Sequence, residues 1–268
     1  MTKPNVGPRG SSLKGRHAIV TGGGRGLGRT IAAELAAAGA DVTVMGRDAT
    51  DLQSCTTELS HRFGARAHAV SCDVTREDSV AAAFAAAAKA MGSPHILVNN
   101  AGQALSAPFA DISSDVWRHT LDVNLTGAFL CTQKVLPSMM DATHGRIVNI
   151  ASTAALRGYS HLAAYCASKH GMLGMTRALA LEVAKLGITV NAVCPGYTEG
   201  GMSNQAIAAI MALRNVAADE AMTILTRNNP LRRLTTQEEV AATVVWLCTP
   251  ESSAITGQAI AVAGGEVM

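Results

Sequence analysis

Short apolar runs alternate with longer stretches in which apolar residues recur every three or four positions, from residue 17 almost to the end of the 268-residue chain. Residues 17–21 (HAIVT) are β-branched at their centre and give way to glycines and then to an alanine-rich stretch, 27–38, that stops at Gly39. That order predicts strand, tight loop and helix. Residues 41–45 (DVTVM) and 65–71 predict the second and third strands, with a helix around 52–63 between them. Thr75 and Asp78 have the spacing of a capping box and predict a helix over 76–91 ahead of a strand at 95–99 (HILVN). A long helix over 113–140, a buried strand at 145–151, a helix over 163–186 and a strand at 188–193 continue the rhythm. Thr235 and Glu238 predict a second capping box for a helix ending near Leu247, and 258–262 reads as the last strand.

Repeated strand–helix alternation predicts a doubly wound α/β domain over 13–268, with about seven parallel strands and helices on both faces. Ligands of such sheets sit at the carboxyl ends of the strands. Residues 196–234 break the rhythm: they hold no predicted strand but carry Ile207, Ile210, Met211 and Leu213 at helical spacing, which predicts a lid or an oligomer contact. Residues 1–12 are rich in Pro, Gly and Ser without an apolar core, so a loose tail is expected there, not a secretory signal.

Composition narrows the function classes. Aromatic residues are only 3% of the chain against 48% hydrophobic, which suits small side chains packed closely between helix and sheet. Twenty-two basic and 20 acidic residues, net +2, leave no footprint for nucleic acid or an anionic membrane. The six cysteines are dispersed without a C-x-x-C pair and are expected as reduced, mostly buried thiols of a cytoplasmic protein. No window has the roughly 18 uninterrupted apolar residues that a membrane span needs. The eight histidines show no metal-ligand spacing, so no metal is expected.

Residues 21–28 (TGGGRGLG) join the first strand to the first helix. Glycine there allows close approach of a pyrophosphate, and the helix amino terminus offers free N–H groups to the anion. The acidic residue that commonly holds a ribose 2′-hydroxyl at the end of the second strand is replaced by Gly46 and Arg47, which favours NADP(H) over NAD(H), with Arg25 as a second phosphate contact. Tyr165 and Lys169 lie four residues apart on one helical face. A tyrosine with its usual pKa near ~10 is a poor base at neutral pH, and a fixed ammonium beside it is what makes its phenol useful. Ser152, at the end of a buried strand, and the turn 99–102 (NNAG) complete the set.

Together with Asp73, Asn124 and the run 194–198 (CPGYT), these motifs resemble the short-chain dehydrogenase/reductase family, in its order and spacing, from about residue 14 to residue 265. The resemblance implies a Rossmann-type fold and reversible hydride transfer between a nicotinamide and a secondary alcohol or ketone. It implies that Tyr165 exchanges the proton with the substrate oxygen, that Ser152 orients that oxygen, that Lys169 binds the ribose and lowers the tyrosine pKa, and that Asn124 holds a water linking the lysine to solvent. Asp73 and Val74 would flank the adenine, Gly22, Gly26, Leu27 and Gly28 the pyrophosphate, Arg25 and Arg47 the 2′-phosphate, Asn100, Ala101 and Gly102 the cofactor floor, and Pro195, Gly196 and Thr198 the nicotinamide.

A moderately apolar keto compound is expected in a pocket lined by Ala104, Leu105, Ala154, Leu156, Met202, Ile207 and Met211. The chain also looks like β-ketoacyl reductases and hydroxyacyl-CoA dehydrogenases of the family, whose acyl thioester Arg214, Arg227, Arg232 and Arg233 could meet. Tyr159 reads as a pocket or packing residue, and Cys166 as packing. Ala263 stands where many relatives have an acid. A homotetramer or homodimer through the two long helices is implied. The competing reading is a catalytically silent nucleotide sensor, which would keep the glycine loop and lose the Ser–Tyr–Lys set.

Overall fold

The computed structural model describes residues 12–268. The tail expected at 1–12 falls, apart from Ser12, outside the described residues. Seven strands, β1 (His17–Thr21), β2 (Asp41–Gly46), β3 (Ala67–Ser71), β4 (Ile96–Asn99), β5 (Gly145–Ile150), β6 (Ile188–Pro195) and β7 (Ala259–Val262), form one sheet in the order β3-β2-β1-β4-β5-β6-β7. Every pairing is parallel. The chain starts in mid-sheet, winds outward to β3, then returns past β1 and winds the other way. This gives the crevice at the strands' carboxyl ends where the order reverses.

Alternate residues of each strand serve opposite faces. Val20, Val44, Ile96 and Val148 pack with α1 (Gly26–Ala37), α2 (Ala49–Phe63) and α9 (Gln237–Cys248). Ile19, Leu97, Ile147 and Val190 pack with α3 (Glu77–Met91), α5 (Gly127–Asp141) and α6 (Ala163–Val183). Side chains such as Ile19, Leu35 and Met139 are fully out of water. Each contributes about 1.5–3 kcal/mol, so both faces are held independently of the site above them.

Local details depart from the sequence reading. The predicted box at Thr75 and Asp78 does not form: α3 begins after Arg76 without a side-chain cap, because the Thr75 N–H and hydroxyl both donate to the Asp73 carboxylate. The second box lies one residue later than predicted, at Thr236 and Glu239. Thr235 is occupied instead, its hydroxyl on the Val262 carbonyl and its backbone bridged to Thr198. The long helix expected over 113–140 is α4 (Ser114–Leu121) and α5 joined through a single π-helical turn, Asp122–Thr126. The stretch 196–234 folds as α7 (Gly201–Arg214) and α8 (Ala218–Thr226). All six cysteines are free thiols, and five are buried. Among the described residues no helix is long and apolar enough to cross a membrane, and no group of three or more potential metal ligands occurs.

Candidate active site

The carboxyl ends of β1, β4, β5 and β6 are neighbours, and the candidate residues come from the turns that leave them. Thr21 ends β1, and its hydroxyl oxygen accepts the N–H groups of Asn100 and Ala101 at 3.0 and 3.1 Å, locking the glycine loop to the turn after β4. The Asn100 amide donates to the carbonyls of Thr21 and Gly22. Within this knot Gly22 has φ +63°, and a Cβ on Gly28 would lie 2.1 Å from the Gly22 carbonyl oxygen. Only glycine fits at Gly28, because backbone lies where any side chain would go. The amino terminus of α1 has no side-chain cap and no acid in its first turn, so its free N–H groups can take a phosphate.

Arg25 and Arg47 are both exposed and neither makes an ion pair among the described residues. The nearest acid past β2, Asp48, is spent on capping α2 through the N–H groups of Thr50 and Asp51, so it does not act in place of a ribose-binding carboxylate. Asp73 follows the edge strand β3, whose carboxyl end pairs with that of β2. Thr75, followed by the charge of Arg47, holds its carboxyl below the ordinary range. Val74 is buried against Gly127.

The π-helical turn explains Asn124. One extra residue in the turn re-aims the side chain, and π-turns recur where a helix must present a functional group. Asn124 is fully buried. Its amide donates to the Gln103 carbonyl and to the Ser168 hydroxyl, and its oxygen accepts the Gln103 N–H at 2.8 Å. Ser168 passes its own proton to the Tyr165 carbonyl. Asn124 thus clamps the turn after β4 onto α6, a structural task that its sequence motif does not reveal.

Tyr165 and Lys169 are buried one turn apart on α6, with Lys169 Nζ 5.7 Å from the Tyr165 ring centre. The ammonium donates to the Ile150 carbonyl at 2.7 Å, at the end of β5. A Cβ on Gly102 would come 3.2 Å from Asn124 Oδ1 and 3.7 Å from Lys169 Nζ, so the ends of β4 and β5 and the π-helical turn converge here. Burial pushes the Tyr165 phenol up to about 12, against the pull of the neighbouring Ser152 hydroxyl, and pushes Lys169 down to about 8. Burial leaves the phenol above its ordinary value with Ser152 as the group that pulls it down, so at neutral pH it holds its proton and suits the role of acid. Ser152 Oγ also accepts the Ala154 N–H.

Pro195 closes β6, Gly196 donates to Val262, and the Thr198 hydroxyl turns back onto the Gly196 carbonyl. The expected apolar lining is uneven: Ala154 is buried, while Leu105, Leu156 and Met202 are exposed. A groove of about 630 Å³ beside α4, lined by Phe109, Ile112, Trp117 and Leu121 among others, contains none of the catalytic candidates. Tyr159 lies 2.7 Å from the Thr153 hydroxyl and 2.6 Å from Glu266. Glu266 escaped the sequence reading because 107 residues separate it from its partner.

The arrangement fits a nicotinamide dinucleotide: a glycine cradle that a Cβ would fill, an uncapped helix amino terminus, two unpaired arginines and a buried lysine. Gln103 adds a buried Nε2 with no partner beside Asn124.

The sequence model of the family described as short chain dehydrogenase matches residues 16–210. A 3-oxoacyl-[acyl-carrier-protein] reductase from Aquifex aeolicus is 37% identical over 253 residues, covering 94% of this chain and 98% of its own. The short-chain reductase protein NovJ of Streptomyces niveus is 37% identical over 248 residues, 92% of each chain. Among solved structures, a variant of the actinorhodin polyketide ketoreductase determined with NADPH superposes with a TM-score of 0.90 at 39% identity, covering 94% of this chain and 97% of that one.

Proposed function

The chain belongs to the short-chain dehydrogenase family, and from that premise we propose that it is an NADPH-preferring reductase of a keto compound, with Tyr165, Ser152, Lys169 and Asn124 as its working residues. Its class is that of a nicotinamide-dependent oxidoreductase that interconverts a secondary alcohol and a ketone. The observation that carries the finer reading is the buried Tyr165–Lys169 pair, facing Ser152 at the end of β5.

When bound, the nicotinamide supplies or accepts the hydride at the carbonyl carbon. Ser152 holds the substrate oxygen by a hydrogen bond and fixes its direction. Tyr165 delivers its phenolic proton to that oxygen as charge builds there, a task suited to a phenol that stays protonated at neutral pH. Lys169, still mostly charged below about pH 8, stabilises the phenolate left behind and reaches the ribose hydroxyls. Asn124 keeps the wall of the site in place through Gln103 and gives a water chain a fixed acceptor. Gly22, Gly26, Leu27 and Gly28 take the pyrophosphate, Arg25 and Arg47 the 2′-phosphate, Asp73 and Val74 the adenine, and Asn100, Ala101, Gly102, Pro195, Gly196 and Thr198 the floor and the nicotinamide end.

The active domain spans 13–268, with α7 and α8 as its lid. Relatives named as 3-oxoacyl-[acyl-carrier-protein] and polyketide ketoreductases support a 3-oxoacyl thioester or similar ketone as substrate. The same reading takes the enzyme to be cytoplasmic and to be a homotetramer or homodimer, the assembly being supported by the exposure of Phe129 on α5 and Leu181 on α6. A complete Ser152, Tyr165 and Lys169 set argues against a silent sensor. Initial rates with acetoacetyl-CoA and simple ketones, compared between NADPH and NADH, test the proposal. At least about tenfold higher kcat/KM with NADPH is expected; a preference for NADH would overturn the cofactor assignment, and no turnover of any ketone would overturn the rest.

A further inference from the structure

Glu266 follows the paired glycines after β7, a place where the sequence offered no candidate. Its Oε1 lies 2.6 Å from the Tyr159 hydroxyl, which lies 2.7 Å from the Thr153 hydroxyl. A phenol has one proton, and a carboxylate is the stronger acceptor, so Tyr159 donates to Glu266 while Thr153 donates to Tyr159. Thr153 is the residue after Ser152. On its other side Glu266 meets the end of β6, where a Cβ on Gly196 would come 3.3 Å from Oε2. The carboxylate therefore lies against the carboxyl end of β6 and is tied through Tyr159 to Thr153, which follows Ser152 at the end of β5.

Tyr159 is the only side chain hydrogen-bonded to Glu266 among the described residues, and Oε2, beside Gly196 at the end of β6, has no hydrogen-bonded side-chain partner among them. The charge is felt locally. It raises the Tyr197 phenol, which burial already raises, and Tyr197 in turn adds to the upward push on Tyr165. Arg157 is stacked 4.7 Å from the Tyr159 ring centre; it makes no ion pair with Glu266 but opposes the carboxylate's effect on both Tyr159 and Tyr197. A half-buried carboxylate with no ion-pair partner of its own repels an anionic ligand and tolerates a neutral one.

We propose that Glu266, held in place by Tyr159, is a specificity-determining residue that selects neutral keto substrates over keto acids. The inference rests on the reduction proposed above. It is tested with a γ-keto ester and the matching γ-keto acid, in wild type, Glu266→Gln, Tyr159→Phe and Arg157→Gln. The glutamine keeps a carbonyl acceptor for Tyr159 and removes only the charge; the phenylalanine removes the tie and leaves the charge.

Wild type should favour the ester, Glu266→Gln should raise the acid-to-ester ratio of kcat/KM about tenfold, and Tyr159→Phe should still reject the acid. A ratio unchanged in Glu266→Gln, or a wild-type preference for the acid that Arg157→Gln abolishes, would overturn the proposal. Calorimetric dissociation constants for the same pair, on the protein with NADP+ in place of NADPH, read the ratio without turnover, because the oxidised cofactor has no hydride to give a ketone. Failure of reduction and failure of charge selection are then separate results.

Discussion

Both ends of the sheet bury titratable groups, and they treat them differently. At the amino ends, His17, His95 and His144 precede or open β1, β4 and β5, with Arg146 beside them. His17 is sealed: Nδ1 donates to the Gly92 carbonyl at 2.8 Å, Nε2 accepts from the Thr43 hydroxyl at 2.9 Å, and its N–H reaches His95 Nδ1. Arg146 donates to the carbonyls of Gly145 and Gly187. At the carboxyl ends the Lys169 ammonium donates to a backbone carbonyl, while the Tyr165 hydroxyl faces Ser152 and glycines hold open the space beside it. Burial perturbs the groups at both ends. Partners committed to the backbone make a structural cluster, and a buried group left facing another side chain and a cleft makes a candidate for chemistry.

The contrast breaks most visibly if the open space is filled. Gly28→Ala sets a methyl against the Gly22 carbonyl and must displace the phosphate loop by roughly 1 Å, a shift that costs about 100-fold when geometry is critical. Fluorescence titration with NADPH should give that loss; unchanged affinity would mean that the loop does not hold the cofactor. A smaller effect is expected at the rim, where Arg25→Ala combined with Arg47→Ala should cut the NADPH-to-NADH preference by about tenfold. An unchanged ratio would leave both arginines as solvated charges.

The smallest effect sharpens the other side. Burial lowers the pKa of His17, His95 and His144, the last to about 4, with Arg16 and Arg146 adding to the effect on His144. The unfolded chain therefore binds more protons between the ordinary imidazole value of 6.5 and about 4. Stability from these groups is complete above pH 6.5 and is lost as pH falls through that window. The thermal midpoint at pH 5 should lie about 3–5 °C below that at pH 7.5, and His144→Asn should flatten the slope. A midpoint that holds or rises on acidification would show the cluster to be unimportant.

Most of the fold was legible because alternation between β-branched runs and helical periodicity survives without any tertiary information. What failed lay within a residue or two of an element boundary. Thr235 and Thr236 are chemically equal as caps, and only the contact of Thr235 with Val262 decides between them. The π-turn shifts the hydrophobic phase by one residue, too little to see in a helix of mixed faces, so Asn124 was found by motif and not by geometry.

Tyr165 and Lys169 were legible because four-residue spacing is itself structural. Their pKa values were not, since burial depends on everything packed above them. Glu266 was invisible because its meaning comes from Tyr159, 107 residues earlier in the chain.

The central claim is that Tyr165 is the proton donor, and Tyr165→Phe tests it most directly because it removes one oxygen from a ring already packed in place. With ketone and NADPH, kcat should fall by about 10³-fold, while the NADPH dissociation constant and the thermal midpoint stay near wild type. Activity within tenfold of wild type would contradict the account and move the proton to another group.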